Sequence, residues 1–475
     1  MDGLTRRVVV SDVDGVLAAV DEGMPGALER LFELLAIDSI STDPAYKDSC
    51  LKAADWLVDD LRSMGFDTNR HDTPGHPMVV AHQNSENSGN GPHLLFYGHY
   101  DVQPADPLEL WNRPPFEPAI EDTPNGKVIR ARGAADDKGQ LMTFVEACRA
   151  WKKVTGSLPT QVSLFFEGEE ESGSPSLIPF MTKNRDMLKA DLALVCDTGM
   201  WDSETPTIST MLRGMVGEEI TITGPSLDLH SGMYGGPAMN PIRVLNRILA
   251  DLHDEQGRVT LPDFYEGVTP LPDNVKEQWE ALNHDGTAFL EAVGLGTPAG
   301  EKGYSVLEQI WARPTCDVNG INGGYTGEGF KTVLPSVATA KISFRLVGEQ
   351  DPDAIQKAFY KHVEDRLPAD CTVTYKAKDG SKATVMPVDA PAFKQAQQAL
   401  TLEWQKEAVY AGCGGSIPVV GHIREILDMD SLLVGFMLDD DAIHSPNEKY
   451  SLNSFHKGIR SWVRILDALS QKEDS

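Results

Sequence analysis

The sequence contains few cysteines, and none of them belongs to a recognisable pair. Because no two have CxxC spacing and no three are clustered, neither a disulfide framework nor a thiolate zinc site is expected. Such a chain is typical of a reducing compartment, and we expect a cytoplasmic location. The six cysteines among the 475 residues are Cys50, Cys148, Cys196, Cys316, Cys371 and Cys413.

Long apolar runs are also missing. No run approaches the roughly 20 apolar residues that a membrane-spanning helix needs. The short apolar run Val8–Val10 is interrupted by Asp12 and Asp14 long before a signal-peptide core would be complete. We therefore expect no association with a membrane.

One short motif in this region suggests a different class of enzyme. Residues Val8–Leu17 read VVVSDVDGVL, and their DxDG resembles the nucleophile motif of haloacid-dehalogenase-type phosphatases. The residues that follow, Gly26–Leu35, instead have the apolar spacing of an amphipathic helix. Because a four-residue match needs a confirming context, the phosphatase interpretation is disfavoured.

Basic residues are scarce relative to acidic ones. The chain has 42 Lys and Arg against 71 Asp and Glu, which gives a formal charge of -29. Such a charge repels nucleic acid phosphates and anionic membrane surfaces, so neither is an expected partner. The acidic surplus is compatible with cation binding, although most carboxylates of this kind lie on solvated surfaces.

The patterns that are present predict an α/β protein of more than one domain. The chain is too long for a single compact core. Short apolar runs that indicate buried strands alternate with helical patterns at Ser49–Met64 and Gly139–Lys153. The predicted strands are His93–Tyr97, Gln161–Phe166, Asp191–Cys196 and Ser431–Leu438.

Metal-ligand residue types follow each of these four strands. The carboxyl ends of parallel strands meet at one edge of a sheet, so residues there are expected to converge. A fifth element, the loop that leads into the second helix, carries adjacent carboxylates. Singly each residue has an ordinary structural explanation, but together they predict a cation site. The residues are His99 and Asp101, then Glu169, Glu170 and Glu171, then Asp197, then Asp439–Asp441 and His444, with Asp136 and Asp137 in the loop.

At this point a series of ordered motifs resembles one family. The sequence resembles the dinuclear zinc peptidases that include aminoacylases, carboxypeptidase G and desuccinylases, and most of all the carnosinase-like cytosolic nonspecific dipeptidases. The resemblance covers nearly the whole chain. The motifs are FYGHYDVQP (Phe96–Pro104), RGAADDKG (Arg132–Gly139), EGEEESGS (Glu167–Ser174), CDTG (Cys196–Gly199), DLHSGMYGG (Asp228–Gly236), KTVLP (Lys331–Pro335), SFRL (Ser343–Leu346), GGSIPV (Gly414–Val419) and IHSPNE (Ile443–Glu448).

The resemblance implies a zinc-exopeptidase-like catalytic domain that holds two divalent ions, Zn²⁺ or Mn²⁺. It implies that His99 and Asp197 hold one ion, that Glu171 and His444 hold the other, and that Asp136 bridges them. A mixed imidazole and carboxylate set suits zinc, manganese or cobalt.

The resemblance also assigns the proton chemistry. Glu170 would take a proton from a metal-bridging water and pass it to the leaving amine. Asp101 would fix the His99 imidazole. The family places a cis peptide bond after its bridging aspartate, here between Asp136 and Asp137.

A long insertion separates the third and fourth strands, and its alternating segments Glu218–Thr223 and Thr339–Arg345 indicate strands with one exposed face. The fold expected is therefore a mixed, mainly parallel sheet flanked by helices, formed by residues 1–212 and 388–475, with an inserted α+β domain at residues 213–387. By the resemblance, the inserted domain is a lid and dimerisation domain of a homodimer.

The resemblance places substrate-binding residues in and near this inserted domain. His230 would reach the partner subunit's site and stabilise the oxyanion. Arg345 would clamp the terminal carboxylate of the substrate. Thr332, Gly415 and Ser416 would add hydrogen bonds around the same carboxylate.

The substrate side chains stay open at this stage. The motifs favour hydrolysis of dipeptides or short peptides with a free carboxylate, whereas an N-acyl amino acid amidohydrolase or a desuccinylase-type deacylase is the alternative on the same scaffold. A noncatalytic metal-binding protein is disfavoured, because Glu170 and every expected ligand position are occupied.

Overall fold

The fold is known from a computed structural model, which describes residues 12–83, 91–415 and 417–471. Ser416 lies outside the described residues, as do Val8–Ser11, which precede the DxDG motif. Asp12 is described, and its carboxylate accepts a hydrogen bond from the Gly15 amide at 3.2 Å as the N-cap of the first helix. Among the described residues, no helix is both long and apolar enough to cross a membrane.

The chain divides into two compact units. The first comprises the chain up to Ser209, Met386–Tyr410 and His422 onward, and the second comprises Thr210–Val385 and Ala411–Gly421. The inserted segment nearly coincides with the predicted 213–387. The short segment Ala411–Gly421, which carries Gly415, was not part of that prediction.

The described residues up to 206 form five α-helices and seven strands. The helices are α1 (Val13–Leu35), α2 (Lys47–Ser63), α3 (Lys138–Thr155), α4 (Leu177–Lys183) and α5 (Arg185–Leu188), and the strands are β1 (Phe66–His71), β2 (Met78–Gln83), β3 (Leu94–His99), β4 (Ala119–Thr123), β5 (Gly126–Arg130), β6 (Val162–Glu167) and β7 (Leu192–Val195).

The remaining elements follow in chain order. The strands are β8 (Thr207–Leu212), β9 (Gly214–Thr223), β10 (Leu229–His230), β11 (Thr315–Gly323), β12 (Val333–Leu334), β13 (Val337–Leu346), β14 (Thr372–Ser381), β15 (Thr384–Val385), β16 (Val409–Cys413), β17 (Ser431–Leu433) and β18 (Lys449–Ser451). The helices are α6 (Ser231–Tyr234), α7 (Pro241–Ala250), α8 (Asp273–Ala281), α9 (Gly286–Glu291), α10 (Val306–Trp311), α11 (Pro352–Glu364), α12 (Pro391–Trp404), α13 (Pro418–His422) and α14 (Leu452–Ser470).

The sheet of the first unit is mixed, as predicted. Its order begins β1-β2-β6-β3-β7-β17, with β6, β3, β7 and β17 parallel to one another and β1 and β2 antiparallel at the edge. Every residue of β3, β6 and β7 is buried, which explains why these strands read as continuous apolar runs.

Helices cover this sheet through an aromatic core. Phe96 of β3 stacks on Phe144 of α3 with ring centroids 4.0 Å apart, and Trp462 of α14 meets Phe96 edge-on at 5.8 Å. The Trp462 indole donates to the Thr143 hydroxyl at 3.1 Å, so its one polar atom is satisfied. This packing fixes the start of α3 relative to the end of β3.

The second unit has an antiparallel sheet in the order β11-β13-β9-β14. Buried residues alternate with partly exposed ones along β9, as expected for a sheet with one covered face. The covered face packs on α7 and α11, for example through Phe344 and Phe359 with ring centroids 5.3 Å apart. The predicted α+β character of the inserted segment is thereby confirmed.

Candidate metal centre

The carboxyl ends of the parallel strands carry the predicted site residues to one edge of the sheet. His99 is the last residue of β3 and lies opposite Glu167, the last residue of β6. Asp197 follows β7 by two residues, and β7 pairs with β3 up to Tyr97 opposite Val195. The chain after β6 forms a single 3₁₀ turn, Glu170–Ser172, at the same edge.

Asp136 connects two groups of potential ligands. One group is His99, Asp136 and Asp197, and the other is Asp136, Glu171 and His444; within each group the ligand atoms lie within 4.8 Å of one another. Asp136 Oδ1 lies 3.1 Å from His99 Nε2, whereas Asp136 Oδ2 lies 2.9 Å from His444 Nε2. The two oxygens of one carboxylate therefore face two different histidines.

The side chains at this site change one another's affinity for protons. Burial lowers the pKa of His99, but its hydrogen bonds to Asp101 and Asp136 outweigh this effect and raise the pKa well above 6.5. Hydrogen bonds to Asp136 and Glu171 raise the pKa of His444 to about 10. Burial and then the charge of Asp136 raise the pKa of Asp197 to about 7. Burial thus favours a proton on Asp197, and the neighbouring carboxylates favour protons on both histidines.

A divalent cation would supply the same positive charge. The donor atoms are imidazole nitrogens and carboxylate oxygens without thiolate, a set that suits zinc or manganese. The residues therefore fit such ions on their own chemistry. The peptide bond between Asp136 and Asp137 is cis, as the resemblance implied.

Asp101 connects His99 to the turn that carries Glu170 and Glu171. The His99 Nδ1 atom lies 3.1 Å from the Asp101 carbonyl oxygen and 3.4 Å from Asp101 Oδ1, which leaves Nε2 directed at Asp136. The Asp101 carboxylate also accepts hydrogen bonds from the Glu170 amide at 3.2 Å and from the Glu171 amide at 3.0 Å. Sequence reasoning had assigned only the contact with His99.

The three consecutive glutamates have different surroundings. Glu169 is buried and accepts hydrogen bonds from the backbone amides of His76 at 2.7 Å and Ser176 at 2.9 Å. Glu171 belongs to the second ligand group. Burial raises the pKa of Glu170, partly offset by the charge of His99. Glu169 therefore binds backbone amides, whereas Glu171 faces the second ligand group.

Sequence reasoning missed one residue beside Glu171. The Gln103 amide donates to the Glu171 carboxylate at 2.7 Å and so restricts its orientation. Gln103 lies within the FYGHYDVQP motif. Its position two residues after Asp101 could have indicated that it lies near the site.

The family of this chain follows from a match over most of its length. The model of peptidase family M20/M25/M40 matches residues 95–468. That range covers β3 to α14 and includes all five proposed ligands.

The chain belongs to this peptidase family.

Individual relatives agree with the family match. The Cys-Gly metallodipeptidase DUG1 of Candida albicans is 28% identical over 459 residues, which cover 93% of this chain and 94% of that protein. The human Beta-Ala-His dipeptidase is 24% identical over 511 residues, which cover 99% and 100%. The crystal structure of the M20 family metallo-carboxypeptidase Sso-CP2 from Sulfolobus solfataricus has a TM-score of 0.78 and 30% identity, with 94% of this chain and 99% of that chain covered.

These findings confirm the predicted resemblance to the zinc peptidases and their carnosinase-like branch. This M20/M25/M40 peptidase is a metallopeptidase with the expected fold, a mixed sheet flanked by helices.

The remaining predicted site residues that the structure describes lie in the second unit of the M20/M25/M40 peptidase, namely His230, Thr332, Arg345 and Gly415. His230 is exposed, and its Nδ1 accepts a hydrogen bond from the Gly232 amide at 3.0 Å. Strands β10 and β12 pair His230 with Val333, and the Ser231 amide donates to the Thr332 carbonyl at 3.0 Å. His230 and Thr332 are therefore neighbours within this unit.

Sequence reasoning also missed Arg213, which interacts with both Arg345 and Gly415. The Arg213 amide donates to the Gly415 carbonyl at 3.1 Å, and Arg213 Nε donates to the Gly414 carbonyl at 2.9 Å. Burial and then the charge of Arg345 lower the pKa of Arg213 to about 10. Two guanidinium groups thus act on each other close to the Gly414–Gly415 pair.

Proposed function

We propose that this peptidase hydrolyses dipeptides or short peptides with a free terminal carboxylate and that it uses two divalent ions, Zn²⁺ or Mn²⁺. The observation that carries the proposal is the position of Asp136, whose two oxygens face His99 and His444. One carboxylate shared between two ligand groups suits a pair of adjacent ions.

In this proposal His99 and Asp197 would hold one ion, Glu171 and His444 would hold the other, and Asp136 would be available to both. When bound, the ions polarise the substrate carbonyl and make water acidic enough to lose a proton near neutral pH. Asp101 keeps the His99 imidazole oriented and fixes the turn at Glu170 through two backbone hydrogen bonds.

Glu170 is the proton carrier of the proposal. Its carboxylate accepts a proton from the water that attacks the carbonyl carbon, and it then donates that proton to the amine as the carbon–nitrogen bond breaks. Burial raises the pKa of Glu170 and so favours temporary possession of a proton. A carboxylate with an unshifted pKa would hold that proton less readily.

The second unit would supply the substrate contacts. Arg345 would bind the terminal carboxylate as a planar guanidinium fork, with Thr332, Gly415 and Ser416 around it. His230 would stabilise the oxyanion in the partner subunit of a homodimer. The relatives named for Cys-Gly and β-Ala-His support a dipeptide as the substrate, and the composition supports a cytoplasmic location.

A substrate panel tests the proposal. Chelator-stripped protein is assayed on Cys-Gly, β-Ala-His, other dipeptides and N-acetyl and N-succinyl amino acids, with Zn²⁺ or Mn²⁺ added back. We expect activity on dipeptides that returns only with metal. Cleavage of the acyl amino acids alone would replace the proposal with the amidohydrolase or deacylase alternative, and metal-independent cleavage would contradict it.

A further inference from the structure

Glu448 carries a buried carboxylate that receives hydrogen bonds from the loop preceding α3. Its side chain has no exposed surface, and that of Arg132 is 1% exposed. Glu448 Oε2 accepts from Arg132 Nη1 at 2.7 Å and from the Gly133 amide at 2.9 Å, and Oε1 accepts from the amides of Ala135 at 2.9 Å and Asp136 at 3.2 Å. One carboxylate thus accepts from four donors.

The pairing of two short strands puts Glu448 at this loop. Strands β5 and β18 are antiparallel, with Arg130 opposite Lys449 and Ile129 opposite Tyr450. Glu448 directly precedes β18, and Arg132 lies two residues after the end of β5. The antiparallel pairing therefore brings these two residues together. The Arg130 guanidinium also donates to the Asn447 carbonyl at 2.5 Å, which joins the same two segments.

A buried carboxylate of this kind is costly unless its donors are well placed. Removal from water penalises the charge by several kcal/mol, and the interaction compensates only when the geometry satisfies the oxygens. Conversely, the three loop amides would lose their acceptor if the carboxylate were absent. Glu448 and the loop therefore fix each other in one conformation.

The loop that donates to Glu448 and the segment that contains Glu448 each carry a proposed metal ligand. Asp136 is itself one of the donors, and His444 lies four residues before Glu448 on the opposite segment. His444 Nε2 is 2.9 Å from Asp136 Oδ2. The Glu448 carboxylate thus joins the loop of the shared aspartate to the segment of the second histidine.

We propose that Glu448 is a positioning residue that holds the Asp136 loop against the His444 segment and thereby sets the spacing of the ligands for both ions. This inference rests on the proposed function, since it assumes that Asp136 and His444 bind metal. It assigns Glu448 no contact with substrate.

Metal affinity tests the inference without reference to turnover. Apo protein is titrated with Zn²⁺ in competition with a chromophoric chelator, for the wild type and for Glu448→Gln. The amide keeps the size of the side chain but turns an NH₂ group toward two of the four donors and removes the charge that compensates Arg132. We expect Zn²⁺ binding to weaken about 10- to 100-fold, the usual effect of losing a residue that orients a ligand.

Glu403→Gln is the matched control. Glu403 is also a buried glutamate with arginine partners, accepting from Arg460 Nε at 2.6 Å and Arg464 Nε at 2.8 Å. It lies in α12, which contains none of the proposed ligands. We expect its Zn²⁺ affinity to stay within about twofold of the wild type, because sites that share no partners act independently.

The outcomes separate the two proposals. Equal Zn²⁺ affinity of Glu448→Gln and the wild type, or equal weakening in Glu448→Gln and Glu403→Gln, would overturn the positioning role alone. Failure of the wild type to bind Zn²⁺ would overturn the metal site as well. If Glu448→Gln does not fold, Arg132→Lys gives up the Nη1 donor but keeps the charge, and its Zn²⁺ affinity must then fall for the inference to stand.

Discussion

At the scale of single residues, protons and metal ions compete for the same nitrogen atoms. His99 Nε2 and His444 Nε2 both face Asp136, and these nitrogens are the ones a bound ion would use. In the metal-free protein the surrounding carboxylates raise the pKa of both rings. Because only neutral imidazole binds a metal, loading must displace protons.

We therefore expect Zn²⁺ binding to release protons. The pKa of His444 is raised to about 10, so this ring is protonated in the metal-free protein at pH 7.5 and must become neutral when the ion binds. Affinity should rise as the pH increases toward that pKa and fall as the pH decreases. Calorimetry in two buffers of different ionisation enthalpy should report about one proton released from His444 at pH 7.5, with a further contribution from His99, whose pKa is also raised.

A variant separates the contribution of one ring. His444→Gln removes one titrating imidazole, so it should release about one proton fewer than the wild type. Binding heats that do not depend on the buffer would contradict the prediction.

The residue types of the candidate site were readable from the sequence, but their supporting contacts were not. His99 and Asp197 follow apolar runs, and that position alone places them at the sheet edge. Glu169 accepts from the amide of His76, 93 residues away, and no sequence pattern reveals such a backbone donor. Gln103 was not predicted because its neutral amide is not a metal-ligand residue type.

At the scale of elements, apolar runs predicted the central strands well and their ends less well. The prediction Ser431–Leu438 was too long, since β17 ends at Leu433. Val434 and Phe436 remain fully buried beyond that point. A Cβ at Gly435 would lie 1.9 Å from the Thr198 carbonyl oxygen, so the backbones approach closely there. Beyond Leu433 the pairing is reduced to an isolated parallel bridge between Gly199 and Met437, and burial accounts for the apolar residues before it.

Two glycines in helices should respond in opposite ways to alanine. At Gly139 in α3 a Cβ would lie 1.9 Å from the Ala134 carbonyl oxygen, so the loop that carries Asp136 would have to move. At Gly23 in α1 a Cβ would meet nothing within 4 Å. Gly139→Ala should destabilise the protein by about 1–3 kcal/mol. Gly23→Ala should stabilise it by about 0.5–1 kcal/mol.

Urea unfolding of the metal-free variants checks both signs. Gly139→Ala should also bind Zn²⁺ less tightly, because its strain falls on the Asp136 loop. A Gly139→Ala variant as stable as Gly23→Ala would show that the loop has more freedom than the structure indicates.

At the scale of the whole molecule, the chain forms two compact units, and the sequence indicated both because the insertion changes from the parallel pattern to alternating exposed strands. The segment Ala411–Gly421 could not be assigned in advance, since its membership of the second unit depends on contacts with residues far away in the chain. Two of the proposed carboxylate contacts lie in that segment, at Gly415 and Ser416.

The proposed homodimer can be tested by complementation. If His230 acts in the partner subunit, mixing Glu170→Gln with His230→Ala should restore activity, because one site of each mixed dimer then contains both intact residues. Random exchange predicts a recovery of about one quarter of the wild-type activity. No recovery after exchange is verified by mass would contradict action across the subunits.

The most direct test of the account compares Glu170→Gln with Glu169→Gln in metal content and dipeptide turnover. We predict that Glu170→Gln retains two Zn²⁺ or Mn²⁺ ions per chain but loses about 10²- to 10⁴-fold in kcat, as expected when a general base is removed. Glu169→Gln changes a carboxylate that accepts hydrogen bonds from the backbone amides of His76 and Ser176, so it should keep its turnover when folded. Near-normal turnover of Glu170→Gln, or loss confined to Glu169→Gln, would contradict the assignment of Glu170 as the proton carrier.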